Sequence, residues 1–179
     1  MMRRNSLSSR ALECIFEVIN VGGIAFSRGS LIRKLQQLDA IKDSKWRANK
    51  LIKNLQSGGY IKQTGDKIKL TTRGISHIKY LEYRKLDFVP HYTHWDKAWR
   101  IIFFDIPEQK RHLRKLLREK IKEWKCVQIQ QSVFATPFDC EKEIEKLAEI
   151  LEVGSGVRVV KAIHASNDLA KNLRKIFKV

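Results

Sequence analysis

Along the first half of the chain, apolar residues recur at helical spacing and are interrupted by short polar breaks. In the segment Asp43 to Ser57, Ala48, Leu51, Ile52 and Leu55 follow the i, i+3, i+4, i+7 rule and gather on one stripe that must face a core. At about 100° per residue, Trp46, Asn49, Lys50, Lys53 and Asn54 fall on the opposite side. This helix turns cations, amides and one large aromatic into solvent, a face suited to an anionic, hydrogen-bonding partner. An ordinary solvated face would account for the lysines but not for the tryptophan. Two apolar-periodic stretches precede it: Ala11 to Ile19, and a second in which Ser30 is placed to cap a helix carrying Leu31, Ile32, Leu35 and Leu38. After it, Gly58 and Gly59 supply a left-handed helix end, and Tyr60 to Thr71 predicts two short strands around Thr64-Gly65-Asp66. Thr72 to Leu86, with Ile75, Ile78, Leu81 and Leu86 in register, predicts the helix that leaves this hairpin.

Three helices followed by a hairpin bearing Lys62, Lys67 and Lys69 is the order of a winged helix-turn-helix, in which the third helix enters the DNA major groove and the wing lies along phosphates. The candidate DNA contacts are Lys45, Trp46, Arg47, Asn49, Lys50, Lys53 and Asn54 on the helix and those three lysines on the wing. Trp46 and Asn49, nearest the helix start, are placed for base contacts.

The pattern breaks around Phe88 to Trp95, where Pro90 and a run of aromatic and imidazole side chains interrupt the helical period. Beyond it the chain reads strand, helix, strand, strand, helix, strand. Trp99 to Ile106 is apolar except for Arg100 and Asp105; Lys110 to Trp124 is amphipathic through Leu113, Leu116, Leu117, Ile121 and Trp124. Cys126 to Gln130 and Ser132 to Thr136 predict short strands, Glu141 to Leu151 a helix, Val157 to Ile163 a β-branched strand, and Asn167 to Phe177 a last helix. This is the order of the ferredoxin-like βαββαβ unit. The expected fold class is therefore α+β, an N-terminal winged helix-turn-helix over residues 1–86, a linker over 87–95 and a ferredoxin-like domain over 96–179. The first strand of that domain puts Ile101 and Phe103 on one face and Ile102 and Phe104 on the other, while both helices lie on one side. The uncovered face calls for a second copy of the chain, with the linker or the last helix, Asn167 to Phe177, folded back over it as the alternative.

Charge strengthens the case for a polyanion. The chain has 36 Lys and Arg against 19 Asp and Glu, a formal charge of +17. Residues 1–95 hold 18 basic and 7 acidic groups and residues 96–179 hold 18 and 12, so the excess sits mainly in the expected DNA reader. A membrane surface would attract the same charge, but no apolar run approaches the roughly 20 residues of a spanning helix and no signal peptide is seen, so a cytoplasmic location is expected. Met1 to Arg10 reads as a short basic arm, frayed or touching phosphates. Cys14, Cys126 and Cys140 are odd in number and lack metal-ligand spacing, which predicts reduced, buried thiols. His91 and His94 form an H-x-x-H pair with no third ligand near in sequence.

The residues of the second half also carry a family likeness. Trp99-Arg100-Ile101-Ile102-Phe103-Phe104-Asp105-Ile106-Pro107-Glu108, a basic helix with Arg111, Arg114 and Arg118, and Gln130-Gln131-Ser132-Val133-Phe134 resemble the CRISPR-associated protein two family. They are also similar to the central domain of the PaaX-like regulators, the phenylacetate-degradation repressor family, in which a winged helix precedes that domain. The winged helix favours the second family. This resemblance implies a homodimeric, sequence-specific DNA-binding transcriptional repressor that reads a near-palindromic operator and needs no cofactor. The chain ends at Val179 without the further C-terminal domain of longer members, which leaves a small-molecule effector undefined. The first family implies the rival function, a metal-dependent nuclease in which Asp105 of two copies holds Mg²⁺ against a phosphodiester. Against it, Ala135 stands where nuclease members often carry an acid, and Glu108 is equally explained by the positive end of the following helix.

Overall fold

The computed structural model describes residues 7–22, 26–37, 44–88 and 95–179. His91, His94, Leu38, Asp43 and the first six residues of the basic arm fall outside them. The chain divides into two compact units, Met1–Glu82 and Tyr83–Val179.

In the first unit the order is α1 (Leu7–Gly22), β1 (Phe26–Ser27), α2 (Arg28–Gln36), α3 (Lys45–Ser57), β2 (Ile61–Thr64), β3 (Lys67–Leu70) and α4 (Thr72–Lys85). The first helix extends past the expected Ala11 to Ile19 at both ends. The stripe of α3, Ala48, Leu51, Ile52 and Leu55, is buried with Leu12 and Ile15 of α1, Leu31 and Leu35 of α2, Ile68 of β3 and Ile78 of α4. Three helices thus enclose one apolar core, closed on one side by a sheet of order β1-β3-β2. The two-residue strand β1, which no periodicity announces, pairs Phe26 with Ile68 and Ser27 with Lys67.

Two local signals work differently from the sequence expectation. Ser30 is not the cap of α2. Ser27 is, accepting a hydrogen bond from the Ser30 amide at 3.1 Å, while the Ser30 hydroxyl donates back to the Ser27 carbonyl at 2.9 Å. Both serines suit a helix start, but only Ser27 has the extended backbone that frees its side chain to cap. Of the two glycines after α3, only Gly59 is left-handed, at φ +70, whereas Gly58 stays at φ −73.

The second unit runs β4 (Trp99–Phe104), α5 (Arg111–Glu123), β5 (Val127–Gln130), β6 (Val133–Thr136), α6 (Glu141–Ile150), β7 (Val157–Ala162) and α7 (Asn167–Phe177). Its antiparallel sheet has the order β5-β6-β4-β7. Ile102 lies opposite Phe134 on one side and Val159 on the other, and with Phe104 it packs on Leu117 and Ile121 of α5 and Ile144 and Leu147 of α6. Tyr83 in the last turn of α4, with Leu86 and Phe88, also packs into this core, so the segment expected to close the first domain supplies apolar surface to the second.

The opposite face of the sheet is not bare. Leu173 of α7 is buried against Trp99 and Ala135, and Leu169, Phe177, Ile101, Val127 and Ala162 pack around them. Leu169, Leu173 and Phe177 are spaced i, i+4, i+8 and form the single apolar stripe of that helix. Asp168 in its first turn and Arg174 and Lys175 in its last suit the helix dipole. The same chain thus covers part of the face for which a second copy was expected. Phe103 remains 40% exposed there.

Candidate nucleic-acid interface

Ser44 caps α3, its side chain accepting from the Arg47 amide at 3.3 Å, and this sets where the helix begins and which residues turn outward. Lys45, Trp46, Arg47, Lys50, Lys53 and Asn54 are exposed on the face away from the core. Trp46 is 68% exposed, with the Lys50 ammonium over its ring at 5.0 Å, one turn further along. None of these cations has an acidic partner among the described residues.

Asn49 differs from its neighbours. It is half-buried; its Oδ1 accepts from Arg28 Nη2 at 2.7 Å and its Nδ2 donates to the Lys45 carbonyl at 2.9 Å. Its amide is taken up by these two hydrogen bonds, and the group held beside it is the half-buried Arg28 guanidinium. Arg28 also ties the hairpin in, since its backbone amide donates to the Asp66 carbonyl at 2.8 Å. One residue at the start of α2 therefore connects the hairpin turn to α3. Sequence reasoning missed Arg28 because placing the cap at Ser30 left Arg28 outside the helix.

The hairpin adds three more cations. Gly65 makes the turn at φ +59, a conformation that side chains disfavour. Ile61, Gln63, Ile68 and Leu70 share one face; Lys62, Thr64, Lys67 and Lys69 share the other. Lys62 lies directly opposite Lys69, and both are exposed. Like charges paired across strands destabilise a hairpin unless an anion lies between them.

Elsewhere the chemistry is sparse. Asp105 is exposed at the end of β4 and makes no side-chain hydrogen bond or ion pair among the described residues, so it does not cap the following turn. Its backbone is fixed instead: its amide donates to the Gly156 carbonyl at 2.8 Å, and a Cβ on Gly156 would come within 2.2 Å of its carbonyl oxygen. Glu108 is taken up by an ion pair with Arg114. Among the described residues no group of three His, Cys, Asp or Glu side chains could hold a metal. A lone exposed carboxylate is not a donor set for Mg²⁺ within one chain. The three cysteines are buried and form no disulfide with one another, and burial pushes the Cys126 thiol up to about 12 and the Cys140 thiol up as well, which leaves neither of those two a nucleophile. Of the residues expected at a dimer interface, Ile102 and Phe104 are core, Ile101 is half-buried beside α7, and Phe103 is exposed. No helix among the described residues is long and apolar enough to cross a membrane.

Residues 92–174 match the family model of the PaaX protein central Cas2-like domain, a span covering most of the second unit, which supports kinship with PaaX proteins. No curated protein and no solved structure matches the chain.

Proposed function

We propose that this chain is a PaaX-like transcriptional regulator, a homodimer that binds a near-palindromic DNA operator and represses by occupying it. The first unit acts as a winged helix-turn-helix and the second as a ferredoxin-like domain that joins two copies. Support for the first part comes from the order of helices and strands, with β1 completing a small sheet beside the hairpin, and from cations concentrated on α3 and that hairpin. The observation that carries the reading is the outer face of α3: Lys45, Arg47, Lys50 and Lys53 surround an exposed Trp46 and lack acidic partners, on a helix whose other face is wholly buried.

In this reading α3 enters the major groove, Trp46 packs against base edges, and Lys50 and Lys53 neutralise phosphates at its border. Lys62, Lys67 and Lys69 lie along the backbone, where phosphate oxygens relieve the repulsion between Lys62 and Lys69. Arg28, held by Asn49, adds a guanidinium beside α3, able to reach a phosphate or a guanine edge. Two such units related by a two-fold axis would read half-sites about one helical turn apart. The test is a duplex DNA titration over a range of salt with the wild type and the Lys50→Ala/Lys53→Ala variant. The variant should bind more weakly with a shallower salt dependence; an unchanged slope would remove this face from the interface.

A further inference from the structure

We infer that two copies of this chain join edge to edge through β7, in antiparallel pairing about a two-fold axis at Val160. This rests on the dimeric reading above and specifies its interface. Among the described residues the sheet has two free edges, and they differ. The β5 edge is short and its register shifts between Gln128 and Gln130, an irregularity that resists strand addition. Strand β7 pairs all of Val157–Ala162 with β4 without a break, and its other side carries no strand among the described residues.

The two cations of this strand are exposed but engaged within their own chain. Arg158 Nη1 donates to the carbonyls of Gly154 at 3.1 Å and Val157 at 2.7 Å, and Lys161 Nζ pairs with Asp96 at 2.9 Å. Beside the exposed Arg158 and Lys161, two apolar side chains also face solvent: Val160 at 47% and Ile163, just past the strand end, at 69%.

The side chains choose the register. Opposed residues must share a face, and centring the pair on Val160 sets it against its own copy, Arg158 against Ala162, Lys161 against Val159 and Ile163 against Val157, with no like charges opposed. Beside β7 lies a cleft of about 470 Å³ between that strand and α6, lined by Ile144, Ala148, Val157 and Val159 and rimmed by Glu141, Glu145 and Glu149. In this register the second copy's Ile163 enters the cleft. In this register Lys161 of the second copy, opposite Val159, stands on the face of this acidic rim, which suits a second copy better than an acidic partner.

The full-length Val160→Cys variant tests the pairing, because directly opposed Cα atoms about 4.5 to 5.5 Å apart suit a disulfide and the native thiols are buried. Under mild oxidation it should cross-link into a dimer, and Gln130→Cys on the β5 edge should not. Ile163→Asp, at an exposed position, should raise the dimer dissociation constant at least tenfold in sedimentation while leaving the circular dichroism spectrum intact. A wild type that sediments as a monomer would overturn both this inference and the dimeric regulator. A wild-type dimer that does not cross-link through residue 160 and survives Ile163→Asp would overturn the β7 interface alone.

Discussion

The second unit ties several of its cations to acids: Arg100 to Asp96 and Asp139, Arg114 to Glu108, Lys120 to Glu123, Lys146 to Glu149 and Lys161 to Asp96. In the first unit Lys45, Arg47, Lys50, Lys53, Lys62, Lys67 and Lys69 have no acidic partner among the described residues, and two of them repel each other across a hairpin. A paired cation does its work within the fold, and removing it costs stability. An unpaired cation that disfavours its own hairpin contributes nothing to folding, and under the proposed function its place is that of a phosphate contact. Substitutions should therefore separate stability from DNA binding along the division between the units.

The largest effect is expected at Arg100, whose side chain is almost wholly buried while bonded to Asp96 at 2.6 Å. Arg100→Ala should destabilise the protein by about 2 to 3 kcal/mol in chemical denaturation, without altering DNA affinity per folded molecule. A parallel loss of DNA affinity would break the contrast. The same network predicts an acid limit. Hydrogen bonds from Arg100 and then Lys161 hold the Asp96 carboxyl well below its ordinary value. Its folded-state value being depressed, its contribution is present above the unfolded value of about 3.9 and is lost as pH falls through the folded one. Asp96→Asn should flatten the stability profile below about pH 4.

Next comes the recognition face. Lys50→Ala/Lys53→Ala should weaken duplex binding about 30-fold near 0.15 M salt, since each phosphate contact contributes about 0.9 to the slope of log affinity on log salt. Its melting temperature should not fall, because both side chains point away from the core. Lys69→Glu sharpens the comparison further. It turns a repelling pair into an attracting one, so the hairpin should gain about 0.2 to 1 kcal/mol while DNA binding drops. Stability and affinity moving together would show that the lysine serves the fold. The smallest effect is expected at Asp105. Asp105→Asn should change stability by less than about 0.5 kcal/mol and leave operator affinity intact. Labelled single- and double-stranded substrates in Mg²⁺ and in Mn²⁺ should remain uncut by either form; metal-dependent cutting that the variant lacks would favour the nuclease.

The helices were legible wherever an apolar stripe repeats along one face. In α3 the buried set is Ala48, Leu51, Ile52 and Leu55, the residues that periodicity selects. Legibility failed where a contact depends on something other than hydrophobic spacing. In α4, Ile75 stands in register yet is 39% exposed, because the helix packs hardest at Gly74, where a Cβ would come within 2.2 Å of the Tyr60 carbonyl oxygen. That close approach turns Gly74, His77, Ile78 and Leu81 inward, and a glycine leaves no mark in a hydrophobic pattern. Lys120 reads as a solvent residue of α5, but its stem is buried while its ammonium reaches Glu123 at 3.2 Å and lies over the Tyr83 ring.

Periodicity along the chain specifies which side of an element is apolar, because side-chain direction follows from local backbone geometry. It does not specify what that side meets. The stripe of α7 was readable from Leu169, Leu173 and Phe177, but that it lies on Trp99 and Ala135 depends on strands far away in sequence. Likewise Asn49 points out of α3 by its spacing, and only the fold brings Arg28 to its amide and the Asp66 carbonyl to the Arg28 backbone. Local sterics assign faces, whereas contacts between distant segments assign partners, and those contacts exist only once the whole chain has closed around its cores.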